Sequence, residues 1–248
     1  LQAAPPIFVI NLARSVHRFA ECQKQLQSHA IRRIEAVDGE LLSESELQKH
    51  YDSEANAGRF YRDLSRGEVG CYLSHRKAWQ TIVDEQLPYA VILEDDIELQ
   101  GNIEQVGNVI GQLDVAWDYI KLAEYPEKRR AIWHWPPSEK RVLIYNKVPA
   151  RTCAQAVSLA GARKLLDNSE RFFRPIDLDL QYWWEKDIEV FGLKPYPFRP
   201  SASVRSDIDA TQNRRSQPTR RWQKVWQQCV FLAQNRRHNA RRLRALVR

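Results

Sequence analysis

Three consecutive carboxylates, Glu94, Asp95 and Asp96, end the apolar run Tyr89-Ala-Val-Ile-Leu93. Hard oxygen ligands grouped this closely suit a divalent cation, a sugar hydroxyl or both. A structural alternative stands beside that one: Asp95 or Asp96 caps a following helix and Glu94 is solvated. Arg14, Ser15 and Arg18 lie just past a second apolar run, Ile7 to Leu12. At a helix start, unpaired backbone N–H groups and guanidinium forks converge on anions, although a solvated first turn has the same composition. His75 sits within a helical pattern whose apolar face is Val69, Tyr72, Leu73, Trp79, Ile82 and Val83. Taken alone it reads first as a hydrogen-bonded structural histidine. Asp177, two residues after Pro175, reads first as a helix cap. Trp133, His134 and Trp135 form an aromatic patch, either a sugar-stacking surface or core.

These residues need elements to position them. The run before Glu94 has no polar alternation, so it predicts a strand covered on both faces, the interior of a parallel or mixed sheet. In such sheets the ligand crevice lies outside the carboxyl ends of the strands, where the three acids fall. Ile7–Leu12 predicts a first strand, a helix follows to about His29, and Arg33–Val37 predicts a second strand closed by the turn dipeptide Asp38-Gly39. Ser43-x-x-Glu46 and Ser65-x-x-Glu68 have the form of capping boxes and place helix starts near residues 44 and 66. The polar stretch from Tyr51 to Leu64 between them is expected to be a loop over the site. Further on, a helix is expected over Asn102–Leu113. Strands are expected over Trp117–Leu122, Val142–Tyr145 and Ala154–Leu159, a helix over Ala162–Leu166, and a last extended segment over Gly192–Phe198, with the region around Trp133 irregular. Helices alternating with strands in this order predict an α/β fold around a mixed central sheet.

The chain has 248 residues with a net charge of +7, and that charge is uneven. Eleven Lys or Arg and no acidic residue lie between Arg214 and Arg248, leaving 27 basic against 31 acidic residues before them, a net of −4. The predicted organisation is therefore a main domain over 1–213 and a basic helical tail over 214–248. A basic total of this kind does not point to specific nucleic-acid binding by the domain. The longest uncharged run, Leu1 to Ala13, is too short to span a bilayer and lacks the basic start of a signal peptide. Cys22, Cys71, Cys153 and Cys229 are scattered, with no CxxC pair, as expected for buried thiols in a reducing compartment. In the tail, Trp222, Trp226, Cys229, Ala233, Ala240, Leu243 and Val247 recur at helical steps with Arg along the flanks. That pattern fits a helix lying in an anionic membrane interface, or one whose first half packs on the domain.

Several segments together, in order, resemble glycosyltransferase family 25, the lipooligosaccharide galactosyltransferases and their collagen-modifying relatives. They are Val9-Ile-Asn-Leu12 with Arg14, Ser15 and Arg18; Ala36-Val-Asp-Gly39; Gly67 to His75 with Trp79; Ala90 to Asp96; Gly161 to Leu166; Pro175-Ile-Asp177; and Ser206-Asp-Ile208. The resemblance implies a single nucleotide-sugar-binding domain of the GT-A type. It also implies that Asp96 holds Mn²⁺ or Mg²⁺ on the donor diphosphate, while Glu94 contacts the nucleoside side. Asn11, Arg14, Arg18, Asp38, His75 and Asp95 are implied as the remaining donor-binding residues. Asp177 is implied as the base that deprotonates the acceptor hydroxyl, or else as a further metal ligand. No histidine lies between His134 and His238, so the C-terminal histidine ligand of many GT-A enzymes has no counterpart. Tyr182-Trp-Trp184 matches nothing in the family pattern.

The function so implied is an inverting transfer of galactose from UDP-galactose to a terminal sugar of a lipooligosaccharide or lipopolysaccharide. The expected partners are a lipid-linked oligosaccharide acceptor and an anionic membrane, at the cytoplasmic face of the inner membrane. Two other readings stand beside it: the same chemistry with UDP-glucose or a UDP-N-acetylhexosamine, and a non-catalytic basic protein peripheral to membrane or nucleic acid.

Overall fold

The computed structural model describes residues 5–123, 129–136, 139, 141–201 and 219–246. In chain order, β1 (Ile7–Asn11) leads through α1 (Val16–Gln25) to β2 (Ile31–Glu35). Then come α2 (Glu44–His50), α3 (Ser53–Arg59), α4 (Arg66–Asp84), β3 (Tyr89–Glu94), β4 (Ile97–Leu99) and α5 (Glu104–Gln112). They are followed by β5 (Tyr119–Lys121), β6 (Ala131–Trp135), β7 (Val142–Tyr145), β8 (Ala154–Ser158), α6 (Leu159–Asp167) and α7 (Ile176–Asp179). Last are β9 (Val190–Leu193), β10 (Phe198–Pro200) and the 26-residue α8 (Arg221–Leu246).

Eight strands form one mixed sheet in the order β2-β1-β3-β8-β5-β9-β7-β6, while β4 and β10 pair separately. The expected α/β architecture with a C-terminal helical extension is what the chain adopts. β1 runs parallel to both β2 and β3, whereas β8 enters antiparallel to β3. Strands β1, β7, β8 and β9 are buried at every position, as uninterrupted apolar runs require when both faces are covered. One face packs Tyr72, Trp79 and Ile82 of α4 against Ala162 and Leu165 of α6. The other packs Cys22 of α1 against Val106, Val109 and Ile110 of α5.

Both capping boxes form. Ser43 N donates to Glu46 (2.8 Å), and Ser65 N to Glu68 (3.0 Å) while Glu68 N donates back to Ser65 Oγ (3.1 Å). The segment expected as a loop between them instead contains α3. Asp52 Oδ1 accepts from Ala55 N (2.9 Å), an N-cap, and buried Asn56 ties the helix to the carbonyls of Arg62 and Phe173. The Trp133 region is also regular. It forms β6, an edge strand with both faces half-covered, which leaves no apolar alternation to read. The second strand begins two residues earlier than expected, and the last extended segment divides into β9 and β10. The Ser206-Asp-Ile208 segment lies outside the described residues.

The tail is helical as expected but turned the other way. Phe231, Asn235, Asn239 and Arg242 face the domain, while Trp222 (89% exposed), Trp226 (70%), Cys229 and Ala233 of the expected stripe face solvent. The inward polar side chains each make at least one bond or ion pair to the domain, which is why the pattern misleads. Asn235 and Asn239 both donate to the Asn146 carbonyl, and Arg242 pairs with Glu189 over the Phe191 ring. Tyr182 and Trp184, with no place in the family pattern, seat Phe231, and Trp184 stacks on His238 (5.1 Å, 6°).

Candidate functional site

Because β1 and β3 are parallel neighbours, with Ile10 opposite Glu94, their carboxyl ends place Asn11 beside the three acids. Antiparallel β8 pairs Ala154 with Leu93, which brings its leading residue Thr152 against Glu94 from the other side. The first turns of α4 complete the wall. Gly70 carries no Cβ because one would stand 2.6 Å from the Val37 carbonyl and 2.7 Å from Gly39 N. Ser74 accepts from Val37 N (2.8 Å), locking the Val37–Gly39 turn onto the helix. The result is a cleft of about 760 Å³. Asn11, Arg14, Arg18, Asp38, His75, Glu94, Asp95 and Asp96 all line it, so eight of the nine expected site residues converge.

Within the cleft the three acids are held differently. Asp95 accepts from Asn11 Nδ2 (2.7 Å) and from Arg18 (3.5 Å). Glu94 Oε1 accepts from Thr152 Oγ1 (2.6 Å) and from His75 Nε2 (3.1 Å). Gln155 Nε2 donates to His75 Nδ1 (2.8 Å), so the imidazole proton sits on Nε2 and faces Glu94. His75 is fully buried, with both ring nitrogens engaged. It lies beneath the cleft as a support for Glu94. Burial raises the Glu94 carboxyl, but the bonds from His75 and Thr152 and the charge of Arg151 outweigh it and hold Glu94 below the usual range.

Asp96 differs from both. Its Oδ1 is buried without a hydrogen-bond partner. Burial, then the charges of Glu94 and Asp95, push its carboxyl up to about 7. A buried carboxylate crowded by two others and owning an unspent oxygen is chemically suited to a hard divalent cation. Among the described residues, Cys71, His75 and Glu94 also approach one another within 4.8 Å. Both His75 nitrogens are already used, Nε2 toward Glu94 and Nδ1 toward Gln155, so the imidazole has no lone pair left for a metal in this trio. Arg14 forms an ion pair with Asp38, and both sit at the mouth of the cleft.

Asp177 is the expected residue that does not line the cleft. It lies half-buried in α7, with Oδ1 accepting from Leu178 N (2.9 Å), and its charge, after burial and the charge of Glu94, helps raise the half-buried Cys71 thiol on the cleft wall. Its neighbour Asp179 anchors that turn, paired with Arg174 (2.9 Å) and Lys186 (2.7 Å) and accepting from Tyr72 OH (2.6 Å).

Sequence reading missed Arg151, Thr152 and Gln155. Arg151 holds a left-handed backbone (φ 73°) beside the acids. The buried Lys121 ammonium gathers the carbonyls of Pro149 (2.8 Å), Ala150 (3.3 Å) and Arg151, fixing that turn. No local motif marks these residues. Only the antiparallel entry of β8 beside β3 brings them to Glu94.

Residues 4–180 match the family described as "Glycosyltransferase family 25 (LPS biosynthesis protein)". The chain is 31% identical over 224 residues to a rat protein named "Probable inactive glycosyltransferase 25 family member 3", covering 79% of this chain and 38% of that protein. It is 28% identical over 225 residues to human "Procollagen galactosyltransferase 2", covering 79% and 35%. The chain thus spans little more than a third of the length of these relatives. A solved structure of a glycosyltransferase involved in glycosylation of the major capsid of PBCV-1 aligns over 84% of this chain and 100% of that one. Its TM-score is 0.45 at 10% identity.

Proposed function

The chain belongs to glycosyltransferase family 25, and from that premise we propose that it transfers a hexose from a UDP-sugar, galactose in the first instance, to a terminal sugar of a lipid-linked oligosaccharide with inversion. The observation that carries this reading is the unequal treatment of the three acids. Asp95 and Glu94 are tied to Asn11, Arg18, Thr152 and His75, while Asp96 keeps a buried oxygen unspent. Asp96 would hold Mn²⁺ or Mg²⁺, and the chemistry so supplied is neutralisation of the charge that grows on the departing diphosphate. Arg14 and Arg18, on the same cleft, give guanidinium donors to phosphate oxygens. Asp177 takes the proton from the acceptor hydroxyl as that oxygen bonds the anomeric carbon. The bond from that carbon to the diphosphate oxygen breaks, and its electron pair leaves with UDP.

The reading is tested by UDP release from UDP-galactose, UDP-glucose and UDP-N-acetylhexosamines, with and without EDTA. EDTA-sensitive turnover with one donor supports it. A second reading, donor binding without transfer, is favoured by the word "inactive" in the names of the rat and mouse relatives. Donor binding with no turnover on any UDP-sugar would establish that one.

The place of action proposed with this function is an anionic membrane surface, the cytoplasmic face of the inner membrane. No helix among the described residues is long and apolar enough to cross a bilayer. The outward face of α8 presents Trp222, Val225 and Trp226 followed by Arg236, Arg237, Arg241 and Arg244, all exposed. Interfacial indoles beside guanidinium groups complement anionic headgroups.

A further inference from the structure

A second cleft, about 570 Å³, opens between α8 and the body of the domain. Its walls come from both: Tyr61, Lys147 and Tyr182 on the domain, and Lys224, Gln227 and Phe231 on α8. We propose that this cleft binds a saccharide bearing an anionic group, carboxylate or phosphate, and that it is the acceptor subsite of the enzyme. The second half of that statement rests on the transferase reading above.

Three features of the lining specify the ligand. Tyr61, Tyr182 and Phe231 supply ring faces and edges, on which the C–H faces of a sugar pack. Phe231 meets Tyr182 edge-on (4.9 Å, 69°), so the rings are fixed in place. Gln227 and Gln228 supply amides matched to sugar hydroxyls, while Gln181 Nε2 is spent on the Val148 carbonyl (2.9 Å), and Gln227 Nε2 is buried with no hydrogen-bond partner. A buried donor left unpaired is costly unless a ligand satisfies it. Lys147 lies over the Phe231 ring (4.9 Å) and Lys224 over Tyr61 (5.2 Å), and neither meets a carboxylate among the described residues. Burial, then the charge of Arg129, lowers the Lys147 ammonium, and an incoming anion would raise it again. Two ammonium groups over aromatic rings, with amides between them, select a charged sugar over a neutral one.

The position of the cleft fits an acceptor. The proposed base, Asp177, directly precedes a lining residue of this cleft, Leu178, in a helix that packs on α4. α8 is also held by residues outside the cleft lining, through Arg220 just before it on Asp63 (3.0 Å) and through Asn239 on the Asn146 carbonyl (3.0 Å). A wall fastened at both ends keeps its shape when its lining is changed.

The test uses the full chain and reads binding before turnover. Glucuronate, glucose 6-phosphate and glucose are titrated by NMR into the parent protein and into Lys147→Gln and Lys224→Gln, with EDTA present and no donor. The expected result is binding of one or both acidic sugars. Each substitution should weaken it about tenfold, with glucose binding and UDP affinity unchanged. Binding of the carboxylate sugar alone or of the phosphate sugar alone upholds the site and names its anion. Gln228→Trp, which fills the cleft without removing a docking contact of α8, should abolish acidic-sugar binding while the circular dichroism spectrum stays that of the parent. Equal affinity for charged and neutral sugars, or acidic-sugar binding untouched by all three substitutions, overturns the proposal. If acidic sugars bind as expected but no UDP-sugar turns over, the site stands and the transferase reading falls. If transfer proceeds with an unchanged acceptor KM in these variants, the acceptor role falls.

Discussion

Gly70 sets two well-known effects against each other. Glycine inside a helix costs about 1 kcal/mol relative to alanine, so on propensity alone Gly70→Ala in α4 should stabilise the protein. The added Cβ, however, would stand 2.6 Å from the Val37 carbonyl oxygen, 2.7 Å from Gly39 N and 3.0 Å from Gly39 Cα. All three are backbone atoms, so no side chain can rotate away. Relief to an ordinary contact requires the helix and the turn to part by about 0.8 Å, and overpacking of this kind costs about 1–3 kcal/mol. The Ser74 bond to Val37 N, which holds the same turn, stretches with it. The steric cost should therefore win, with a net loss of up to about 2 kcal/mol. That is a fall in Tm of up to roughly 4–8 °C for a chain of this length. The turn carries Asp38, so the cleft widens where Arg14 is paired. Turnover should fall by up to about 10²-fold, the scale of a 1 Å misplacement. The internal control is Gly58→Ala in α3, where a Cβ would meet nothing within 4 Å. It should be neutral or stabilising by up to about 1 kcal/mol. Thermal melts and UDP titrations of both variants decide the matter. If Gly70→Ala melts as high as Gly58→Ala, the close-approach argument is wrong.

Four further outcomes are expected. Asp96→Asn should abolish turnover and weaken UDP binding in Mn²⁺ far more than in EDTA; equal loss in both, measured by calorimetry, would make the residue structural. Asp177→Asn should cut the transfer rate about 10²–10⁴-fold with UDP affinity nearly intact, and near-normal transfer removes it as the base. Asp179 is held below the usual carboxylate range by Lys186, Arg174 and Tyr72 working against burial. Its stabilisation is therefore complete above the ordinary carboxylate value and is lost as pH falls through its lowered one. Melts from pH 7 to pH 3 should show that acid loss, and Asp179→Asn should lose about 3–5 kcal/mol at neutral pH and flatten the profile; a parent-like melt would refute the buried network. Truncation after Ala233 should reduce sedimentation with anionic vesicles at low salt, whereas equal binding to neutral vesicles excludes an electrostatic surface.

The sequence made the carboxyl end of β3 legible because an unbroken apolar run ending in acids has few other uses in a soluble α/β chain. The capping boxes at Ser43 and Ser65 were equally plain, since their signal is local. α3 was hidden by a polar surface. Its start signal at Asp52 is a single residue, and its buried contact is the amide of Asn56. Thr152 and Gln155 were invisible for a different reason: they reach Glu94 only through strand order, which no local pattern encodes. The face of α8 was misread because its inward side is held by Asn235, Asn239 and Arg242, residues that amphipathic logic sends to solvent.

The seating of α8 on Tyr182, Trp184 and Glu189 also sets an order in time. Every strand and turn that supplies the first cleft has been translated once β8 is complete, because its lining residues all precede the end of that strand. The wall of the second cleft is translated some 5–20 s later, at ordinary elongation rates. In that interval the chain carries the residues of the first cleft but lacks one wall of the second. The late helix is therefore the last part of the second cleft to be made, and a chain that ends before it has the full set of residues for the first cleft alone.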